Sequence, residues 1–288
     1  MGVQLLTDEG EALCYNPHMA SFTITRSGEL HYLCSGSGDD VLLIHGWASS
    51  SRMWQRVHDH LSGDFRLWSI DLPGFGASSL PDDAPVSIDD HLNAIIGFCR
   101  QHNLRPSAVV GHSMGGMLAL RLALEQPEMV DRLVLVCPVV SGRMALRVET
   151  FFSSSAGRFI AARTKSLWSL MQSQMLAPVF SAPVYVSRSE HARYIQDFRR
   201  ASWRAAIGAL ESIAQQDLTP QLAKIPHETL VMVGQRDFTV PPAEGRLAAE
   251  RMPAARLVDL PGVHHQPLDE APAQFINLMR NFLCRTPA

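Results

Sequence analysis

The chain reads as an α/β protein: a mostly parallel twisted sheet with helices on both faces and an inserted helical cap. Three observations carry that reading. Short apolar runs alternate with stretches of helical spacing, the pattern of repeated strand–helix units. Runs such as Val41-Leu-Leu-Ile44 and Leu133-Val-Leu-Val136 are apolar throughout, as strands buried on both faces are. A Gly-x-Ser-x-Gly turn, Gly111-His-Ser113-Met-Gly115, lies between one such strand and a helical run.

Residues 1–20 show no clean period and are read as an N-terminal extension. Ser21 to Thr25 and Leu30 to Cys34 read as two strands joined by a turn that contains Gly28. Val41 to Ile44 is a third strand, followed by helical spacing through Met53, Trp54, Val57 and Leu61. Phe65 to Ile70 is a strand, and Asp71-Leu-Pro-Gly-Phe-Gly-Ala-Ser78 is a loop rich in turn residues. Ile88 to Cys99 predicts a helix, Ser107 to Val110 a strand, Met114 to Glu125 a helix and Leu133 to Val136 a strand. The rhythm stops at Ser141. Over 141–216 no strand-like alternation repeats, and Ile195, Phe198, Ile207, Leu210 and Ile213 fall roughly on one helical face. It resumes with a strand at Glu228 to Gly234, a helix from Ala243 to Arg251, a strand at Arg256 to Asp259 and a helix from Pro272 to Leu283. The expected organisation is therefore a sheet domain made of 21–140 and 217–288, interrupted by a helical insertion at 141–216.

Composition narrows the function classes. The 288 residues are 46% hydrophobic and 18% charged, which excludes a disordered chain or a coiled coil. Twenty-five basic against 28 acidic residues leave a net charge of −3, so no global basic field exists to hold nucleic acid. The apolar run around Leu133 to Val140 is broken by Cys137-Pro138 and falls short of the ~20 residues that a membrane span needs. The N-terminus shows no basic region followed by an apolar one, so no signal peptide is expected. Five scattered cysteines without a C-x-x-C pair read as reduced thiols of a cytoplasmic protein. His58-Asp59-His60 offers metal-ligand types, but residues two apart on a helix face different ways, so no shared metal site is expected there.

The Gly-x-Ser-x-Gly turn points to nucleophilic chemistry. A turn this tight from strand to helix forces the serine into a strained conformation, and side chains two residues away on either side would collide. The strain holds the Ser113 hydroxyl clear of the sheet, at the start of a helix where negative charge is favoured. A serine hydroxyl needs a base, and the base needs an orienting group. Both are sought past the carboxyl ends of later strands, where ligands sit in parallel α/β sheets. Asp237 lies just past the 228–234 strand, and His264-His265 just past the last strand. The order Ser, Asp, His is one of those known for such triads. As a plain turn residue, Asp237 would cap the helix near Pro241. A competing acid after the 133–136 strand is missing, because Cys137-Pro-Val-Val140 stands there. Local chemistry does not choose between His264 and His265.

These residues resemble the α/β-hydrolase family over about 22–285. The resemblance rests on His45-Gly46-Trp47, Asp71-Leu-Pro-Gly-Phe-Gly76, Gly111-His-Ser-Met-Gly115, Gly234-Gln-Arg-Asp237 and the final histidine loop. In that family the catalytic histidine is followed at a fixed distance by Glu-x-Pro, and Glu270-Ala271-Pro272 implies His265, although His264 stands where the family usually has glycine. The resemblance implies a triad of Ser113, Asp237 and His265, an oxyanion hole from the backbone N–H groups of Trp47 and Met114, and no cofactor or metal. The side chains of Trp47 and Met114 would then be free to shape an acyl pocket. His45 and Asp71 are read as structural, and His112 as a filler within the turn. Relatives with aspartate at the elbow are dehalogenases and epoxide hydrolases; Ser113 implies acyl transfer through a covalent acyl-enzyme.

Segment 141–216 would be a helical cap. It holds ten basic and four acidic residues, in a chain that is otherwise acidic. Either this is a solvated face, or it attracts an anionic ester, a CoA thioester or an acidic carrier protein. Aromatic residues of the segment, among them Phe151, Phe159, Trp168, Tyr194, Phe198 and Trp203, form its core or line an apolar pocket. The expected activity is hydrolysis of a carboxylic ester, a small molecule that is anionic or carrier-linked. The alternatives are a thioesterase on acyl-CoA or acyl-carrier protein, a lactonase, or a carbon–carbon bond hydrolase. The last is the weakest, since Gln266-Pro267 stands where some such relatives carry aromatics. A ligand-binding receptor on the same fold is the reading from another class; reaction of Ser113 with a fluorophosphonate separates it from the enzymes.

Overall fold

A computed structural model describes residues 20–25, 28–80, 86–144, 154–155, 165–177 and 190–284. Eight strands form one sheet: β1 (Ala20–Thr25), β2 (Gly28–Ser35), β3 (Asp40–Ile44), β4 (Arg66–Ile70), β5 (Ala108–His112), β6 (Arg132–Val136), β7 (Glu228–Gly234) and β8 (Ala255–Leu260). Their order across the sheet is β1-β2-β4-β3-β5-β6-β7-β8. β2 is antiparallel to both β1 and β4, and every other pairing is parallel. All eight predicted strands are present. The apolar runs of β5 and β6 are buried at every position, as both faces of a parallel sheet require.

The chain leaves β3 toward β4 on one side and returns to β5 on the other. That reversal opens a crevice at the carboxyl ends of β3 and β5. Register brings the other ends level with it: Ile44 pairs with Gly111, His112 with Val136, Val136 with Met232 and Gly234 with Leu260. The loops after β3, β5, β6, β7 and β8 therefore share one edge.

Helices cover both faces. α1 (Gln55–Leu61) and α9 (Pro272–Leu283) pack on the side that receives Val41, Leu43, Val110 and Val134. α2 (Ile88–Gln101) and α3 (Met114–Glu125) pack on the side that receives Leu42, Ile44, Val109 and Leu133. The two-residue period of the strands thus sorts neighbouring side chains into two cores. α2 starts at a capping box in which Ser87 and Asp90 satisfy each other's backbone N–H groups. α7 (Pro242–Arg251) and α9 each begin with proline, which has no N–H to leave unpaired.

Between β6 and β7 the described residues contain no strand but three α-helices, α4 (Lys165–Met171), α5 (His191–Arg200) and α6 (Trp203–Ile213), and a short 3-10 helix (Thr219–Lys224). The single face expected from Ile195 to Ile213 is divided, because the helix breaks at Ala201-Ser202, where the Ser202 N–H donates to the Gly74 carbonyl (2.8 Å). On α6 the fully buried positions are mostly small, Ala205, Ala206, Gly208 and Ala209, while Ile207 and Leu210 are half-buried. A methyl at Gly208 would stand 2.8 Å from the Val86 carbonyl, so small residues permit this close approach. Residues 1–19, Phe151 and Phe159 lie outside the described residues. Cys34 is disulfide-bonded, which corrects the expectation that every cysteine is a free thiol, whereas Cys99, Cys137 and Cys284 are free. Its partner lies outside the described residues. Among the described residues, no helix is long and apolar enough to cross a membrane.

Candidate active site

Ser113 joins β5 to α3 with φ 55° and ψ −114°, a left-handed conformation that L-residues rarely adopt. Its neighbours explain how the fold holds it there. A methyl on Gly111 would run into the Gly115 carbonyl, and one on Gly115 into the Ile44 carbonyl. The Ser113 N–H donates to the Val136 carbonyl (2.9 Å), and its own carbonyl accepts from Gly116 (2.9 Å) and Val139 (3.2 Å). The hydroxyl-bearing residue is only 7% exposed.

Asp237 lies on the loop after β7. One carboxylate oxygen accepts from the Thr239 (2.8 Å) and Val240 (3.0 Å) N–H groups, and the other is 2.7 Å from His265 Nδ1. One oxygen thus serves the turn ahead of α7, without capping that helix, and the other faces His265. Burial pushes its carboxyl up, but the imidazole and the two amides outweigh burial and hold it below its ordinary value. Gly234 is needed at the end of β7 because the His264 carbonyl crosses where its Cβ would stand.

The geometry separates the two histidines. His265 faces Asp237, whereas His264 Nδ1 is 2.9 Å from Glu270 Oε2. Glu270 also accepts the backbone N–H of His264 (2.8 Å) and of Gln266 (2.9 Å). It brackets His265 from both sides, which is the physical content of the Glu-x-Pro spacing. His112, expected to be a filler, instead ties two loops together. Its Nε2 lies 2.8 Å from the His265 carbonyl, and the two rings lie 4.7 Å apart. Burial, aided by His265, lowers His112 to about 3, so it stays neutral and donates this bond.

Trp47 and Met114 border the same space. Met114 is the first residue of α3, and Trp47 follows Gly46, whose Cβ position is 3.2 Å from Ser113 Cβ. Among the described residues, neither of their N–H groups has a backbone acceptor. Nor, among those residues, does the Ser113 hydroxyl or His265 Nε2 have a hydrogen-bond partner. The Trp47 indole is not free: its Nε1–H donates to the Ala206 carbonyl (2.8 Å).

The remaining residues read as structural behave so. The Leu72 N–H donates to His45 Nε2 (2.9 Å). Asp71 accepts from the Ala77 N–H (2.8 Å) and faces His31. His58 points inward to the hydroxyls of Ser35 (2.6 Å) and Ser69 (2.9 Å), while His60 turns to the Arg56 carbonyl. Among the described residues, the donor set nearest to a metal site is Cys137, Asp237 and His265, whose atoms lie within 4.8 Å of one another. Its carboxylate and imidazole are already bonded to each other, and burial pushes the thiol well above its ordinary range.

A second set of buried charges ties the insertion to the histidine loop. Asp269, within the short α8 (Pro267–Glu270), is 2.8 Å from Arg193 Nη2 and accepts from the Tyr194 hydroxyl (2.9 Å). Arg52 on the core meets fully buried Asp197 of α5 (3.2 Å). No sequence pattern singled out these pairs.

The alpha/beta hydrolase fold profile matches residues 40–272. The chain belongs to the alpha/beta hydrolase fold family. It is 30% identical over 258 residues to a pimeloyl-[acyl-carrier protein] methyl ester esterase of Nitrosomonas europaea, covering 86% of this chain and 97% of that one. Among solved structures it resembles a hydrolase from Pseudomonas aeruginosa PA01 (TM-score 0.80, 24% identity, 94% and 100% of the two chains). It also resembles a thermophilic esterase from Thermogutta terrifontis (TM-score 0.77, 23% identity, 92% and 98%). Within the family this chain is a serine hydrolase of carboxylic esters.

Proposed function

We propose that Ser113, His265 and Asp237 form the catalytic triad, and that the ester they cleave is borne by an acyl chain on an acidic carrier protein. The observation that carries the triad is the 2.7 Å bond between His265 and Asp237, in a loop that His112 fastens to the serine turn. His265 Nε2 accepts the Ser113 proton as the oxygen attacks the carbonyl carbon. Asp237 stabilises the imidazolium that results. The Met114 and Trp47 N–H groups hold the oxyanion. Collapse expels the alcohol, which takes the proton from His265. Water then attacks the acyl-enzyme with His265 as base, and the acid leaves with Ser113 restored. Every step needs only water and this chain's own groups.

The segment 141–216 is proposed as a cap over this edge, since α5 and α6 meet the loops after β3 and β4. Its excess of basic residues, with Arg143 and Arg200 exposed, suits an anionic carrier. The relative that is 30% identical acts, by its name, on a carrier-linked methyl ester, which supports the same reading. A site of action in the cytoplasm is part of the proposal, and the free thiols of Cys99, Cys137 and Cys284 support it.

The test is a panel of p-nitrophenyl esters, acyl-CoA thioesters and a carrier-linked acyl methyl ester, on wild type, Ser113→Ala and Arg143→Ala/Arg200→Ala. The reading expects the carrier-linked methyl ester to be preferred, and that preference alone to fall at higher salt and in the arginine variant. A preference for thioesters would favour the thioesterase alternative. A wild-type protein that turns over no ester would reject the proposal.

A further inference from the structure

We propose that Trp47 is a positioning residue through which the helices of the insertion set the oxyanion hole. The inference rests on the esterase reading above, and it concerns the indole, not the backbone donor. Trp47 borders Ser113 through its backbone, and its side chain is held by all three described helices of the insertion. Its indole N–H donates to the Ala206 carbonyl of α6, 159 positions away in sequence (2.8 Å). Its ring lies against Trp168 of α4 (centroids 6.0 Å apart, 76° between planes) and Phe198 of α5 (6.3 Å, 62°). Those two rings are 5.1 Å apart, and Trp168 is itself fixed by a bond from its Nε1–H to the Ala201 carbonyl (3.1 Å).

The main chain on either side of Trp47 has little room to adjust. Gly46 stands against the elbow: a Cβ there would be 2.8 Å from His112 Nδ1. Ala48 is held at φ 52°, a conformation with few neighbouring alternatives. Movement of the insertion is therefore passed through the indole to the Trp47 peptide plane. An oxyanion donor acts only when aimed where charge develops, and a misplacement of about 1 Å can cost ~10²-fold in rate. An acyl chain that seats the helices correctly would align the donor, and a poor one would not. Part of the acyl specificity then appears in kcat instead of in KM.

Trp47→Phe keeps a ring in the cluster and deletes the bond to Ala206. The expected result on p-nitrophenyl acetate is a ten- to hundredfold fall in kcat with KM within twofold of wild type. Affinity for a trifluoromethyl ketone that mimics the tetrahedral adduct should weaken by the same factor. A fluorophosphonate should still label Ser113 to completion. Trp168→Leu loosens the grip from the insertion while leaving residue 47 intact, and it should act in the same direction even if Trp47→Phe does not fold. Paired in one chain, the two changes should cost less than the product of their separate effects. The inference is overturned if Trp168→Leu, and Trp47→Phe where it folds, leave kcat and ketone affinity within twofold of wild type. It is equally overturned if the losses fall on KM alone, the mark of plain packing. A wild-type protein that the fluorophosphonate does not label would defeat the esterase reading first, and this inference with it.

Discussion

His112 Nε2 lies 2.8 Å from the backbone carbonyl of His265, so the residue before the proposed nucleophile holds the residue proposed as its base. The bond crosses from β5 to the loop after β8 and is fully buried. In His112→Leu the His265 carbonyl would lose its donor, at a cost of about 1–3 kcal/mol. Urea unfolding should show that loss. Steady-state kinetics should show kcat reduced about tenfold, with Ser113 still open to labelling. An unchanged kcat would mean that the loop after β8 is fixed without this bond.

Ser113 holds a left-handed backbone that glycine would adopt freely. Ser113→Gly should therefore raise stability by about 1 kcal/mol while abolishing turnover. Ser113→Ala should be as inactive but no more stable than wild type, because alanine keeps the strain. Thermal denaturation of the pair, beside ester hydrolysis falling by at least about 10⁴-fold in both, tests whether the turn stores strain for the hydroxyl.

Two carboxylates serve the same imidazole differently, and their variants should differ in size. Asp237→Asn places an amide against His265 Nδ1 and should lower kcat by about 10⁴-fold, through the wrong tautomer. Glu270→Gln disturbs the His264 ring and the amides on either side of His265, not His265 itself, and should cost about tenfold. Equal losses in the two variants would show that Glu270 does more than brace the loop.

Stability should fall as pH drops below about 6.5. His58 is lowered to about 4, and His91 and His112 to about 3, all by burial first. Below their unfolded value the unfolded chain binds protons that the folded chain refuses, so each histidine erodes stability as pH falls. Asp197, raised to about 6 by burial, and Asp269, also raised, work in the opposite sense between pH 6 and 4. The net uptake of one to two protons predicts a slope of about 1.5–3 kcal/mol per pH unit. Urea midpoints from pH 7 to pH 4 measure it, and a flat profile would contradict neutral burial of these rings.

The sheet could be read from sequence because its physics is local. Continuous apolar runs such as Leu133 to Val136 name buried parallel strands without reference to the rest of the chain. Ser113 and Asp237 were legible for a similar reason, since each follows a strand end. The two histidines were not separable locally, because what separates them is contact with Asp237, 28 residues earlier, and with Glu270. The role of His112, the anchoring of Trp47 on Ala206 and the Arg193–Asp269 pair were invisible for the same cause. Each joins segments more than 70 residues apart, and no pattern in either segment marks the partner. In α6 the expected apolar stripe is only part of the packed face: Ile213 is buried, but close approach selected alanine and glycine at the other buried positions.

Asp269 answers to two neighbourhoods at once: it bonds Arg193 and Tyr194 of the insertion, and it belongs to the turn that carries His265. Removing either basic or phenolic partner would strand a buried charge and slacken that turn. Anyone changing this contact between insertion and core would thus be disturbing the proposed base as well. Along that flank, the seating of the insertion and the placing of the proposed base are a single adjustable quantity.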